Sequence, residues 1–454
     1  MAKVTLLGEH SINPVEMASH AGRACYESDM PSIGDGKMID VKNRLFVPGH
    51  HTTLEHAPHH FTFAMEDISI STITFGFHLS HPFYNSDQRS GRFSKMYENP
   101  DMGEIESRIH KYFPNENPSD ALKFIESGIK IFQANKDNLT DIAAETLRAE
   151  RPFVSDKYIE QNAKKMAQEQ LRVFISTIAP TAMDHTINIV TLAALWRTAH
   201  TPEMRDTVAQ MVAAVRSKYP ETEHMFDKSV AAKPENDWAP TAYKFKLDDG
   251  KVRTSPELKL RNIDIYDCIV NPNARDTVDV LKFTPETMTN NLSSIRVDAE
   301  MSIMTMGQDQ RHRTIERGEP IFTGDFYLPP LLAKAGLITP AEKFRNDFWN
   351  LPNPMHLRTM IAPYGMMMHY GKRINLNALL HEQAKRLCWC AQEEIYNLNI
   401  QLMQQLGAKG HHDIVTEMMP HCAKYGKCCE GARFCGRDMS VWKNGNDGFK
   451  VRGI

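Results

Sequence analysis

The chain has no excess of either charge. Its 53 Lys and Arg stand against 56 Asp and Glu, a formal net charge of -3. A general nucleic-acid or membrane-surface binder carries a basic surplus, so the balance argues against both classes. No apolar run approaches the ~20 residues needed to cross a bilayer. The opening MAKVTLLGEHSINP lacks the basic stretch and apolar core of a secretory signal. Cysteine is scarce: eight in 454 residues are too few for a disulfide scaffold, and four of them crowd the C-terminus. A reducing cytoplasm fits that usage. Heptads and low-complexity tracts are also missing. What remains, 41% hydrophobic and 24% charged residues, is ordinary globular composition, enough for two to four domains of roughly 100–200 residues each.

A composition break falls near the midpoint, where Pro234, Pro240, Asp248, Asp249 and Gly250 read as linker and turn around a strand-like TAYKFKL. The two sides share a pattern. Each has an Arg, a short apolar run and a Pro: LRVFISTIAP with Arg172, and LRTMIAP with Arg358. Each then enters a long amphipathic stretch. In the second, Leu376, Leu379, Leu380, Ala384, Leu387, Ala391, Ile395, Leu398 and Leu402 recur at helical spacing, which predicts one helix ended by Gly407. Its counterpart begins at TINIVTLAALWR, and Arg197 and Arg386 hold matching places. An extra charged helical region between about Asp101 and Lys165 breaks a constant offset. The pattern reads as a diverged duplication, or as two unrelated helical domains that share only amphipathic periodicity. The expected division is residues 1–230, 231–420 and a Cys-rich tail, 421–454.

Two segments carry chemistry. SHPFYNSDQRSGRF, residues 80–93, and RHRTIERGEPIFTG, residues 311–324, are complementary when overlaid without gaps. The second has Arg311-His312-Arg313 where the first has Ser80-His81-Pro82. The first has Ser90-Gly91-Arg92 where the second has Ile321-Phe322-Thr323. Guanidinium forks, a serine hydroxyl and backbone N–H groups at a glycine are all anion-binding devices. Taken alone, each also suits a solvated basic surface.

Together with GHHTTLEHAPHHFTF and a late INLNALL…AQEEI stretch, these motifs resemble the flavin-dependent thymidylate synthases, the ThyX family. The resemblance covers nearly the whole chain twice, each copy keeping only part of the family pattern. It implies an α+β fold of two ThyX-like halves, each a small antiparallel sheet with long helices. It also implies reductive methylation of dUMP to dTMP, with methylenetetrahydrofolate as carbon donor, FAD as cofactor and NADPH as reductant. Family members are homotetramers with sites between subunits, so a fused chain is expected to be a homodimer.

Carried over residue by residue, Gln308, Arg311, Gln88, Ser90, Gly91, Arg92 and Arg172 hold the nucleotide. Arg311, His312, Arg313, Asn375, Asn377, His381 and either Thr52 or Thr53 contact the flavin. Arg386 stabilises negative charge on the pyrimidine. The converse site, with Phe77, Ser80, Pro82, Ile321 and Thr323, lacks the anion binders, so a single working site per chain is expected. Gln88 stands where the family has Glu, Asn377 where it has Arg, and His381 where it has Asn. Those departures leave room for another C5 modification such as hydroxymethylation, or for a non-catalytic flavin- or nucleotide-binding homologue. The five histidines of residues 49–60 invite a metal reading, which the resemblance replaces with a flavin-contacting turn. In the tail, Cys422, Cys428, Cys429 and Cys435 beside His421 suit zinc or an iron–sulfur cluster, although the spacing is not the paired C-x2-C of zinc ribbons. Cys388 and Cys390 read as packing residues.

Overall fold

The computed structural model describes residues 1–7, 14–46, 61–80, 85–91, 100–187, 189–220, 226, 250–264, 293–431, 434–440 and 449–454. Its strands are β1 (Lys3–Leu6), β2 (Phe61–Ser69), β3 (Asn85–Gln88), β4 (Pro180–Ile187), β5 (Val252–Arg253), β6 (Glu257–Asp264), β7 (Ser294–Ser302), β8 (Glu316–Arg317), β9 (Ile321–Tyr327) and β10 (Met366–Ile374). The helices that matter below are α1 (Pro14–Ala24), α2 (Met102–Tyr112), α3 (Ser119–Glu150), α4 (Asp156–Leu171), α5 (Ile189–Thr198), α6 (Pro202–Lys218), α7 (Ile303–Asp309), α8 (Ile338–Trp349), α9 (Leu376–Arg386), α10 (Glu393–Ala408) and α11 (His421–Tyr425). The fold is α+β. The charged region after Asp101 is helical, as α2, α3 and α4. The chain divides into two compact units: residues 1–129, 175–243 and 351–362, and residues 130–174, 244–350 and 363–454.

The first unit holds a four-stranded antiparallel sheet in the order β1-β2-β4-β3. On α6, Met204, Val208, Met211, Val212 and Val215 recur every three or four residues and are buried with Phe63, Met65, Ile68, Met183 and Ile187 of the sheet. Thr201 caps α6, its hydroxyl accepting from Met204 N at 3.1 Å, and Pro202 takes the first helical turn, where a missing N–H costs nothing.

In the second unit the sheet runs β5-β9-β10-β7-β6, with β8 also on β10; all pairs are antiparallel except β5 with β9. On β7 Ile295, Val297, Ala299 and Met301 alternate inward and are at most 1% exposed. Ile395, Leu398, Leu402 and Leu406 of α10 supply the matching helical stripe.

One helical device recurs in both units. In the first, Glu203 of α6 accepts from Ser69 N (3.3 Å), Ser69 Oγ and Thr72 Oγ1 (2.6 Å), while Thr72 N donates to Ser69 Oγ at 3.1 Å. In the second, Glu394 of α10 accepts from Ser302 N (2.7 Å), Ser302 Oγ and Thr305 Oγ1 (2.6 Å), and Thr305 N donates to Ser302 Oγ at 3.1 Å. Two turns along each helix a glutamine reaches the outer strand. Gln210 accepts from Val4 N and donates to Ala2 O; Gln401 accepts from Leu258 N and donates to Pro256 O. Such bonds satisfy edge-strand backbone groups that would otherwise recruit another strand. The Arg108–Glu203 ion pair is an addition of the first unit.

The structure corrects the single late helix. It breaks at Leu387–Gln392, and α10 starts anew with Glu393 and Glu394 in its first turn and runs past Gly407 to Ala408. Gly410, at φ 91°, takes the left-handed turn beyond it. The apolar periodicity continues across the break, so pattern alone does not reveal it. The counterpart breaks likewise between α5 and α6. The linker from Pro234 to Asp249 lies outside the described residues.

Candidate active site

In the second unit the Arg-His-Arg segment is the turn leaving α7, not part of a helix. Ser302 caps the start of α7, and Gln310 closes its end. The turn is clamped from behind by Arg317 of β8. Its Nε donates to Asp309 Oδ2 at 2.5 Å, its Nη1 to His312 O at 2.8 Å and to Ile315 O at 2.9 Å, and its Nη2 to Asp309 O.

Asp309 is the centre of this network and is 1% exposed. It also accepts from Tyr370 Oη at 2.5 Å and Lys372 Nζ at 2.6 Å, and Lys372 reaches Glu382 Oε1 at 3.3 Å. Met366, Met368, Tyr370, Lys372 and Ile374 share one face of β10 by its two-residue period. A lysine at that inward position is stable only because two carboxylates meet it. Burial alone would raise Asp309, but Arg317 and Lys372 outweigh it and hold the carboxyl well below its usual range. Glu382 goes the other way: burial raises it, and Lys372 only partly opposes.

The side chains in front of this network converge. Arg386, the last residue of α9, donates from Nη2 to Gln308 O at 2.6 Å, and Gln308 donates to Gln392 Oε1. Arg313 Nη1 bonds to Arg311 O at 3.3 Å. His312 and His381 meet edge to face, 5.7 Å between ring centroids. Burial, then the Arg386 guanidinium, push the His312 imidazole well below its ordinary value, so it is neutral at pH 7. The segment therefore presents two cations and a neutral ring, not three cations. Asn375 is the N-cap of α9, its Oδ1 accepting from Ala378 N at 2.8 Å, and Asn377 lies in that helix's first turn. Since α9 is continuous, Asn375 and Arg386 mark its two ends.

Arg172 also belongs to this unit, at the end of α4. It is 6% exposed and sits 5.4 Å from the Tyr364 ring centroid. Its charge bears on Glu394. Thr323 is likewise interior: it is buried in β9, with Oγ1 donating to Met367 O at 3.3 Å. Ile321 pairs with His369 at the start of the same strand.

In the first unit Gln88 ends β3 opposite Met183, and Ser90 N donates to Cys25 O at 2.9 Å, which turns the chain at the buried Gly91. Phe77 is buried beside His185. Ser80 ends the short helix that begins at His78. Arg92, Thr52, Thr53 and Pro82 lie outside the described residues. No helix among the described residues is long and apolar enough to cross a membrane.

Comparison with known families decides the class: residues 6–221 match the thymidylate synthase complementing protein family. This part of the chain is a ThyX-family domain. The family is one of thymidylate synthase-like enzymes, and the match includes the Gln88–Arg92 loop and Arg172. The Arg-His-Arg turn, Arg386 and the Asp309 network lie in the chain beyond the ThyX match. No curated protein and no solved structure matches the chain.

Sequence reasoning missed Asp309, Arg317, Lys372, Glu382 and the two latch glutamates. Lys372 and Glu382 gave a faint signal, as charged residues at apolar-periodic positions. Arg317 and Asp309 gave none, because an ordinary surface pair reads the same way.

Three carboxylates of the second unit, Glu169, Glu393 and Glu394, are buried, and the other two bear on Glu393. Burial and then Glu169 push Glu393 up to about 8, and burial pushes Glu394 up to about 7 despite its bonds from Ser302 and Thr305. These folded-state values exceed those of the unfolded chain, so the folded form holds extra protons in between and the stability they confer is lost as pH rises through the window. His312 works in the opposite sense but only below its unfolded value of 6.5. The urea midpoint is therefore expected to fall from about pH 6.5 to pH 8, and Glu393→Gln to flatten that fall. A midpoint that rises over this range, or an unchanged slope in the variant, would contradict the assignment.

Proposed function

We propose that the chain is a flavin-dependent thymidylate synthase built from two fused ThyX-like halves, converting dUMP to dTMP with methylenetetrahydrofolate as carbon donor, FAD as cofactor and NADPH as reductant. The observation that supports fusion is the repeated helix, on which a glutamate latches a Ser-x-x-Thr turn and a glutamine two turns on ties down the outer strand. Unrelated helical domains have no reason to share both bonds at one spacing.

The residues of the second unit fit a flavin. His312 Nε2 and Gln392 Nε2 are buried without a hydrogen-bond partner among the described residues, which costs stability unless a ligand supplies one. Neutral ring nitrogen, amide and guanidinium together suit a flat heteroaromatic ring carrying phosphate. FAD, when bound, supplies hydride transfer. His312, His381, Arg311, Arg313, Asn375 and Asn377, with Thr52 or Thr53, would hold it. Arg386, its guanidinium fixed by Gln308 O, would face negative charge developing on the pyrimidine, where a preoriented cation needs no reorganisation. Gln308, Gln88, Ser90, Gly91 and Arg92 would bind the nucleotide and hold its C5 in place. Arg172, buried on Tyr364, would steady Glu394 and through it the Ser302–Thr305 turn.

Two measurements test this reading. The purified chain, a homodimer on this reading, should bind a single FAD per chain and show a flavin band that NADPH bleaches; a colourless chain that takes up no added FAD would refute it. Arg92→Ala and Arg311→Ala should each abolish dUMP-dependent turnover, whereas Ser80→Ala should not. Mixing the two inactive variants restores activity only if the site forms between chains. Full activity in Arg92→Ala would leave Ser90-Gly91-Arg92 a surface turn and end the composite-site reading.

A further inference from the structure

The first unit buries a cluster of polar side chains that the site above does not use. Asp87 of β3 and Asp184 of β4 stand opposite each other in the strand register, and both are fully buried. Directly opposed residues of an antiparallel pair point to one face. Two carboxylates therefore share this stretch of interior, which costs stability unless something meets them. Helix α1 covers that face. His20 Nε2 stands 2.9 Å from Asp184 Oδ2, and Cys25 Sγ, just past the helix end, donates to Asp87 Oδ1 at 3.5 Å. The neighbouring pair, Ser86 and His185, turns the other way: Ser86 Oγ lies 3.0 Å from His78 Nε2, and His185 meets Phe77.

His20 is 2% exposed. Neither of its ring nitrogens and neither oxygen of Asp184 has an aligned hydrogen-bond partner among the described residues. The close approach of ring to carboxylate is therefore what each offers the other, and removing one leaves its partner buried alone. Local sequence prepares α1 for this contact. Met17, His20, Ala21 and Ala24 fall three or four apart and are all buried. Arg23 fixes the end of the helix, donating to Glu27 Oε1 at 2.8 Å and to Asp35 Oδ1 and Oδ2 at 2.8 and 2.7 Å. Directly beyond lies the anion-binding loop. Arg89 N donates to Ala182 O at 2.8 Å, and Ser90 N donates to Cys25 O at 2.9 Å. The first bond extends the β3–β4 pairing; the second rests the loop on the end of α1. A shift of α1 therefore moves the carbonyl that holds Ser90, just before the buried Gly91.

We infer that His20 and Asp184 are a positioning pair for the nucleotide loop. They touch no ligand. They seat α1 on β4, so that Cys25 O holds Ser90 N where Gln88–Arg92 must present its donors to a phosphate. The inference rests on the reading of that loop as the nucleotide's anion site. Among the described residues no three Cys, His, Asp or Glu side chains are grouped to hold a metal, so the cluster acts through its pairing and not through a bound ion.

Calorimetric titration of dUMP into the whole chain, alongside steady-state kinetics, tests it. His20→Ala should weaken dUMP binding about ten- to a hundredfold and raise KM with it, while kcat at saturating dUMP and the bound FAD stay near the parent's. A chain that is merely less stable loses active molecules instead, which lowers kcat and leaves KM alone. His20→Gln, which keeps an N–H near the place of Nε2, should recover part of the affinity. Asp184→Asn should also weaken binding, and combining it with His20→Ala should cost less than the two losses multiplied, as for partners in contact. Hydrogen exchange reads the loop without any ligand: residues 85–91 should exchange faster in His20→Ala while α6 keeps its protection. The inference is overturned if His20→Ala binds dUMP and exchanges like the parent while Arg92→Ala loses the nucleotide, or if His20→Ala loses kcat alone. If Arg92→Ala binds dUMP as the parent does, the nucleotide reading itself fails, and this inference with it.

Discussion

Replacing Arg386 by alanine is expected to lower kcat on dUMP by about a hundred- to a thousandfold, the loss seen when one preoriented charge-stabilising donor is removed. FAD binding should survive, because the flavin would be held by the His312 turn and the first residues of α9. The loss should appear in kcat rather than KM, since the guanidinium acts where charge develops. Arg386→Lys should recover only part of the rate. Lysine keeps the charge but cannot bond to Gln308 O and present a planar fork at the same time. Single-turnover flavin oxidation with dUMP and methylenetetrahydrofolate measures the step directly. A variant that turns over like the parent would remove Arg386 from the chemistry and leave it a cap on the Gln308 turn.

The largest stability effect is expected at Asp309. Alanine there leaves Lys372 and Arg317 buried without their main carboxylate, a change that costs roughly 3–5 kcal/mol. Because Arg317 also holds His312 O and Ile315 O, the Arg-His-Arg turn should loosen in the same variant and FAD affinity should drop with stability. Lys372→Met should cost less, because Asp309 keeps Arg317 and Tyr370. Urea unfolding of the full chain, followed alongside FAD fluorescence, checks both. If Asp309→Ala unfolds like the parent, the network does not carry the turn.

The ThyX-family match stops at residue 221, and the latch seen within it at Glu203 recurs beyond it at Glu394. Glu203 and Glu394 each need only a Ser-x-x-Thr turn at a strand end and a helix alongside. A device with so few requirements tolerates divergence of the loops around it.

The sequence by itself determined the local devices. Apolar periodicity marked the helical stretches around residues 376–402 and the charged helical region after Asp101, and spacing singled out Ser-Gly-Arg, Arg-His-Arg and Arg386 as candidates for binding an anion. Those signals lie within a few residues of one another, where spacing alone decides which side chains share a face. Only the tertiary structure decided the rest. Lys372 meets Asp309 from another strand, Arg317 reaches back to the carbonyls of the turn, and Gln210 and Gln401 bond to strands far away in sequence. It also broke the late helix at Leu387, where the apolar rhythm runs on unbroken, and it made His312 neutral by burying it beside Arg386. Long-range pairing and desolvation depend on which surfaces the fold brings together, and no window of sequence contains that information.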